Sequence, residues 1–141
     1  MTTQPWPDTL PARQVRIARP TDRLDEVIDF YAGGLGLPEL FRFDDHAGYR
    51  GVMLGLPGAD YHLEFTQHED GSPGTAPTMD NLLVFYFDGA EQVDRIVRRL
   101  AERGRHPVPP ENPYWTEHGA VTCEDPDGWR VVLMPKPDFA G

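Results

Sequence analysis

The sequence predicts an α+β domain built from two copies of one βαβββ unit. Three observations lead there. First, Glu124-Asp125-Pro126-Asp127-Gly128 is turn chemistry, with Pro presetting φ and Gly supplying a positive φ. The runs on either side, residues 120–123 and 129–134, are rich in β-branched and aromatic residues, so the stretch reads as an antiparallel hairpin. Second, Leu56-Pro57-Gly58-Ala59-Asp60 leads into Tyr61-His62-Leu63-Glu64-Phe65 as a weaker copy of the same arrangement. Third, the helix starts at Asp22 and Asp88 lie 66 positions apart, and the strand positions Glu64 and Val132 lie 68 apart. That is the period of a duplicated supersecondary unit.

Residues 1–12 carry three prolines and read as an extended arm. Alternation over 15–19 predicts a first strand. Thr21-Asp22 offers an N-cap to a helix with Leu24, Val27, Ile28 and Tyr31 on one face, and Gly33-Gly34 and Gly36-Leu37-Pro38 stop it. Strands follow at 40–43, 51–54 and 61–66. A polar, Gly- and Pro-rich linker over 69–79 separates a first module, 13–68, from a second, 80–137, within a single domain spanning 1–141. In the second module, 82–87 is a near-continuous apolar strand. Asp88 and Glu91 resemble a capping box for a helix bearing Val93, Ile96, Val97 and Leu100. A short strand at 106–108 and a proline-rich loop carrying Tyr114 and Trp115 lead into the final hairpin.

Composition narrows the function classes. A net charge of −10 repels phosphate backbones and anionic lipid, so nucleic-acid and membrane partners are not expected. One cysteine rules out an intramolecular disulfide and fits a reducing compartment. With no apolar run of membrane-spanning length and no signal-like start, a cytoplasmic location is expected. Phosphate-binding loops, Cys-x-x-Cys pairs and nucleophile elbows are missing from the sequence.

Asp29-Phe30-Tyr31 followed by Leu35-Gly36-Leu37, together with Glu124-Asp125-Pro126-Asp127-Gly128 and the repeated order of elements, resembles the glyoxalase / bleomycin-resistance / extradiol-dioxygenase (vicinal oxygen chelate) superfamily. The resemblance covers about residues 13–137. It implies strands curled into a cavity-forming mixed sheet, and commonly a homodimer. It also implies a metal held by one His or Glu from each of four strands. Carried over, those positions fall on Arg16, Glu64, Leu82 (Asn81 in the neighbouring register) and Val132. Of these four only Glu64 can ligate a divalent ion, and a guanidinium has no lone pair to donate. No metal and no other cofactor is therefore expected.

Arg16 and Glu64 are expected to share one cavity. Strand alternation adds His62, Thr66 and Arg130 to the same face, and Ala18, Leu82, Val84, Tyr86, Val132 and Met134 to its apolar lining. The charges either satisfy one another or orient a ligand. Tyr114 and Trp115 either close the cavity as a lid or cover core beneath their loop. His118 reads as a turn histidine, Cys123 as a half-buried strand residue, and Arg95, Arg98, Arg99, Arg103 and Arg105 as a solvated helix face. His68-Glu69-Asp70 needs no role beyond that of a flexible linker.

The expected function is metal-free binding of a small planar or cationic molecule by a homodimer, through Arg16, His62, Glu64, Tyr86, Tyr114, Trp115 and Arg130. The alternative is a lyase or dioxygenase-like enzyme that uses Glu64. The sequence leaves open whether the chain is an enzyme.

Overall fold

In the eight residues of the strand Tyr61–His68, Leu63 and Phe65 alternate with His62, Glu64 and Thr66, and the first sheet is arranged around that alternation. The computed structural model describes residues 6–139, and part of the expected arm (1–5) lies outside them. The elements in order are β1 (Val15–Pro20), α1 (Leu24–Ile28) running into a π-helical turn (Asp29–Gly34), β2 (Glu39–His46), β3 (Tyr49–Leu54) and β4 (Tyr61–His68). Then come β5 (Leu82–Tyr86), α2 (Ala90–Glu102), α3 (Tyr114–Glu117), β6 (Val121–Glu124) and β7 (Arg130–Met134).

The first sheet has the order β1-β4-β3-β2 and the second β5-β7-β6; in each, the first strand pairs in parallel with the last strand of its module. This is the predicted α+β class, with two small mixed sheets. Leu63, Phe65, Val52 and Leu54 point to the helix side and pack with Leu24, Val27, Phe30 and Tyr31. Val131, Leu133 and Cys123 of the second sheet meet Val93, Ile96 and Leu100 of α2 in the same continuous core. Burying each large apolar side chain contributes about 1.5–3 kcal/mol, so a one-residue slip of β4, which would turn Leu63 and Phe65 outward, is strongly disfavoured.

The helices bring the modules together. Gly34 is required by close approach, because a Cβ there would lie 2.4 Å from Leu100 Cδ2. Arg99 donates to the Gly34 and Leu35 carbonyls at 3.0 and 3.1 Å, capping the end of the π-helical turn, and Arg103 reaches Asp29 at 3.2 Å. The basic run is thus only partly a solvated face.

Several expectations are corrected. The Asp22 carboxylate does not cap α1: Thr21 Oγ1 accepts from Arg23 N at 2.9 Å, and Gln67 Oε1 of β4 accepts from Leu24 N at 3.1 Å. Nor does a capping box form at α2, where extended Gly89 is the N-cap without a side-chain bond and Glu91 pairs with Arg95. Residues 106–108 form no strand, because Pro107, Pro109 and Pro110 lack N–H donors. Val108 N makes a backbone bond there, to Thr122 O at 2.9 Å. The second module is therefore βα followed by two strands, with α3 in the intervening loop.

The linker is pinned rather than flexible. Asp22 accepts from Ser72 N, Trp129 Nε1 donates to Gly74 O at 2.7 Å, and Ala76 N donates to Asp127 O at 3.0 Å. A Cβ on Gly74 would stand 1.9 Å from the Pro20 carbonyl oxygen. No helix among the described residues is long and apolar enough to cross a membrane.

Candidate functional site

On the face of the first sheet away from the helices, Arg16 lies opposite His62, Ala18 opposite Glu64, and Glu64 opposite Met53. Directly paired residues point to the same side of a sheet, so these side chains converge. They meet at a concave cavity of about 370 Å³ lined by Arg16, Phe41, Phe43, His46, Met53 and Glu64. Phe43 is opposite Gly51, whose missing Cβ leaves room for the ring; a Cβ there would lie 2.5 Å from Phe43 Cζ. The pairing of β2 shifts between Phe43 and His46, with Asp45 at φ 52°. That bulge brings His46 onto the cavity side, where simple alternation from Phe43 would turn it away.

Arg16 organises the polar part. Its Nε donates to His62 Nε2 at 3.1 Å, Nη1 lies 3.5 Å from Glu64 Oε2, and Nη2 lies 3.6 Å from Met53 Sδ. The Arg16 side chain is 47% exposed and that of Glu64 13%. His62 is 5% exposed, and its buried Nδ1 has no hydrogen-bond partner among the described residues. Because Nε2 accepts from Arg16, the neutral ring carries its proton on Nδ1.

The structure brings Arg16, His62 and Glu64 together, with Ala18 and Thr66 on the same face of the first sheet, and places Arg130, Tyr86, Tyr114 and Trp115 elsewhere. Arg130 stands on β7 in the second sheet, buried, donating to Glu124 at 3.1 Å and to Pro109 O at 2.7 Å. Tyr114 and Trp115 form α3, which packs on β6. Val132 and Met134 of the second sheet are fully buried, and the Pro109 carbonyl meets Arg130 of the same strand. Tyr86, on edge strand β5, is partly exposed and does not line the first-sheet cavity. The missed residues are Phe41, Phe43, His46 and Met53. Phe-x-Phe spacing in a hairpin beside Glu64 would have signalled the first two.

The implied metal does not fit the residues present. Among the described residues no group of three His, Cys, Asp or Glu side chains is arranged to hold a metal ion. His62 Nε2, the nitrogen nearest Glu64's partner, is already engaged by Arg16.

A second polar cluster joins the modules. Asp125 accepts from Tyr31 Oη at 2.7 Å and from the N–H groups of Asp127 and Trp129 at 2.8 and 3.0 Å. Arg19 lies 3.9 Å from the same carboxylate and 4.2 Å above the Trp129 ring. Burial raises the Asp125 carboxyl above the usual range, against the lowering by these donors, and raises the Tyr31 phenol well above its ordinary value. Cys123 is buried on β6, and desolvation pushes its thiol up to about 11. His118 Nδ1 bonds the Tyr114 carbonyl at 2.8 Å, as a turn histidine would.

Comparison with known proteins places this geometry in context. Residues 15–66 match the YycE-like N-terminal domain and residues 80–135 the YycE-like C-terminal domain. The uncharacterized protein YycE of Bacillus subtilis strain 168 is 53% identical over 130 residues, spanning 92% of this chain and 93% of that one. A crystal structure of a Bacillus subtilis YycE protein of unknown function superposes with TM-score 0.88 at 51% identity, over 95% and 97% of the two chains. The trypanothione-dependent glyoxalase I of Leishmania major shares the fold at 19% identity and TM-score 0.67, over 89% and 87%. So does a glyoxalase/bleomycin resistance protein/dioxygenase domain from Frankia sp. EAN1pec, at 22% identity and TM-score 0.64, over 85% and 94%.

Proposed function

The chain belongs to the YycE-like family, within the glyoxalase/bleomycin-resistance/dioxygenase superfamily, and from that premise we propose that it binds a small planar molecule in the first-sheet cavity without a metal ion. The observation that carries this reading is the substitution of function at the cavity floor. At two of the positions where the superfamily resemblance implies metal ligands, this chain sets the Arg16–Glu64 pair, at 3.5 Å, in a cavity also lined by Phe41, Phe43 and His46. Aromatic walls with a few convergent polar groups are what a small-molecule pocket needs.

The experiment is a screen of planar aromatic fragments read at the Met53 methyl by NMR. Bound fragments shift that methyl, and Phe41→Ala weakens them. If fragments perturb only residues outside the cavity, the reading falls. Glu64 faces the same space, so catalysis by its carboxylate is the competing account. Turnover of a bound compound that Glu64→Gln abolishes would favour it.

We also infer a homodimer. The edge strands β1 and β5 each have one hydrogen-bonded neighbour, and Val15 and Ile17 on β1 are more than a third exposed. Unpaired edges of this kind are usually covered. A monomer mass by light scattering at micromolar concentration contradicts it.

A further inference from the structure

We propose that the molecule held in the Arg16 cavity is a planar aromatic bearing a carboxylate, or a planar oxyanion of the same geometry, and not a cation. The inference rests on the reading of this cavity as a small-molecule site and specifies its ligand class.

Exposure decides the sign of the site. The Arg16 side chain is 47% exposed and that of Glu64 13%, so the guanidinium is presented to an incoming ligand and the carboxylate is recessed. A cation reaching Glu64 would have to displace Arg16 and bring two positive groups together. The net charge of −10 favours cations, but physiological salt screens its field beyond about 8 Å, and the contact group then governs.

Donor accounting decides the chemistry. Arg16 Nε is committed to His62 Nε2 at 3.1 Å, which fixes the plane of the guanidinium and leaves its Nη1/Nη2 edge at the cavity. That edge is poorly satisfied: among the described residues Nη1 has Glu64 at 3.5 Å, the outer limit of a hydrogen bond, and Nη2 has the Met53 thioether at 3.6 Å. Two parallel N–H donors with weak partners match the two oxygens of a carboxylate. His62 is the positioning residue; it is buried, its Nδ1 has no hydrogen-bond partner among the described residues, and its Nε2 hydrogen bond orients Arg16. The apolar remainder of the ligand meets Phe41, 57% exposed, and Phe43, whose ring centre lies 6.4 Å from it.

The test compares 2-naphthoate, 2-naphthamide and 2-naphthamidine by isothermal titration calorimetry on the full chain, with the Met53 methyl followed by NMR. The carboxylate is expected to bind at least about tenfold tighter than the amide or the amidinium and to shift Met53. Arg16→Gln is expected to erase the preference. His62→Gln, which retains an acceptor for Arg16, keeps the preference, and His62→Leu loses it. If the three compounds bind alike, or the amidinium binds best, while Met53 still shifts, the anion assignment is overturned and the cavity reading stands. If no compound shifts Met53, the cavity reading fails and takes this inference with it. The wild-type comparison decides both outcomes without relying on any variant to fold.

Discussion

Tyr31 Oη donates a 2.7 Å hydrogen bond to the Asp125 carboxylate across 94 residues of sequence, buried at the seam of the two modules. The Phe30-Tyr31 pair and the Asp125-Pro126-Asp127-Gly128 turn, the two signatures that mark this fold in the sequence, are therefore in contact. Asp125 also accepts from the N–H groups of Asp127 and Trp129, so one carboxylate shapes the turn and locks it to the helix.

Tyr31→Phe is expected to cost about 1–3 kcal/mol, because a buried carboxylate loses its hydroxyl donor while the ring packing on Phe65 is kept. Burial already raises Asp125 above the usual carboxylate range, so its effect favours the fold at pH below the unfolded value and is lost as pH rises through the folded one. Removing the Tyr31 donor raises it further. The penalty should therefore be larger at about pH 7 than at about pH 4, as read by urea unfolding at both. An equal penalty at both pH values contradicts this account.

Gly74→Ala should destabilise by about 1–3 kcal/mol or more, since the added Cβ meets the Pro20 carbonyl oxygen at 1.9 Å and backbone must move. Thermal melts would show it, and an unchanged melting temperature would mean that the linker is not held as described.

Glu64→Ala should cost about 1 kcal/mol or less, because its partner Arg16 is half exposed and solvent screens the pair. A loss several times larger would mark the pair as a structural lock.

Cys123 should be inert in the folded state. Its thiol is buried and raised to about 11, so at about pH 8 little thiolate exists and access is closed. Reaction with a disulfide reagent should be slow until denaturant is added; rapid native labelling contradicts it.

The fold was legible because its signals are local and repeated. Leu24, Val27 and Tyr31 recur at helical spacing, and Leu63 and Phe65 alternate in a strand; both patterns survive packing unchanged. The site was half legible. Arg16 and Glu64 come from the positions that the superfamily resemblance implies, and strand parity adds His62; β1 and β4 pair in parallel without a shift, which keeps the three on one face. His46 was hidden by a bulge that breaks parity. Arg130 was assigned to the same cavity by counting two residues back from Val132, whereas it stands in the second sheet, bonded to Glu124 and to the Pro109 carbonyl. The capping box at Asp88 failed because extended Gly89, and not Asp88, begins the helix.

A guanidinium, Arg16, stands at a position where the superfamily resemblance implies a metal ligand. Elemental analysis of protein incubated with Zn²⁺, Fe²⁺, Mn²⁺ and Ni²⁺ in turn and then desalted tests the metal-free reading most directly. With Arg16 in place and no three-ligand cluster among the described residues, only substoichiometric metal should be retained. Retention of one ion per chain, lost in Glu64→Ala, would contradict it.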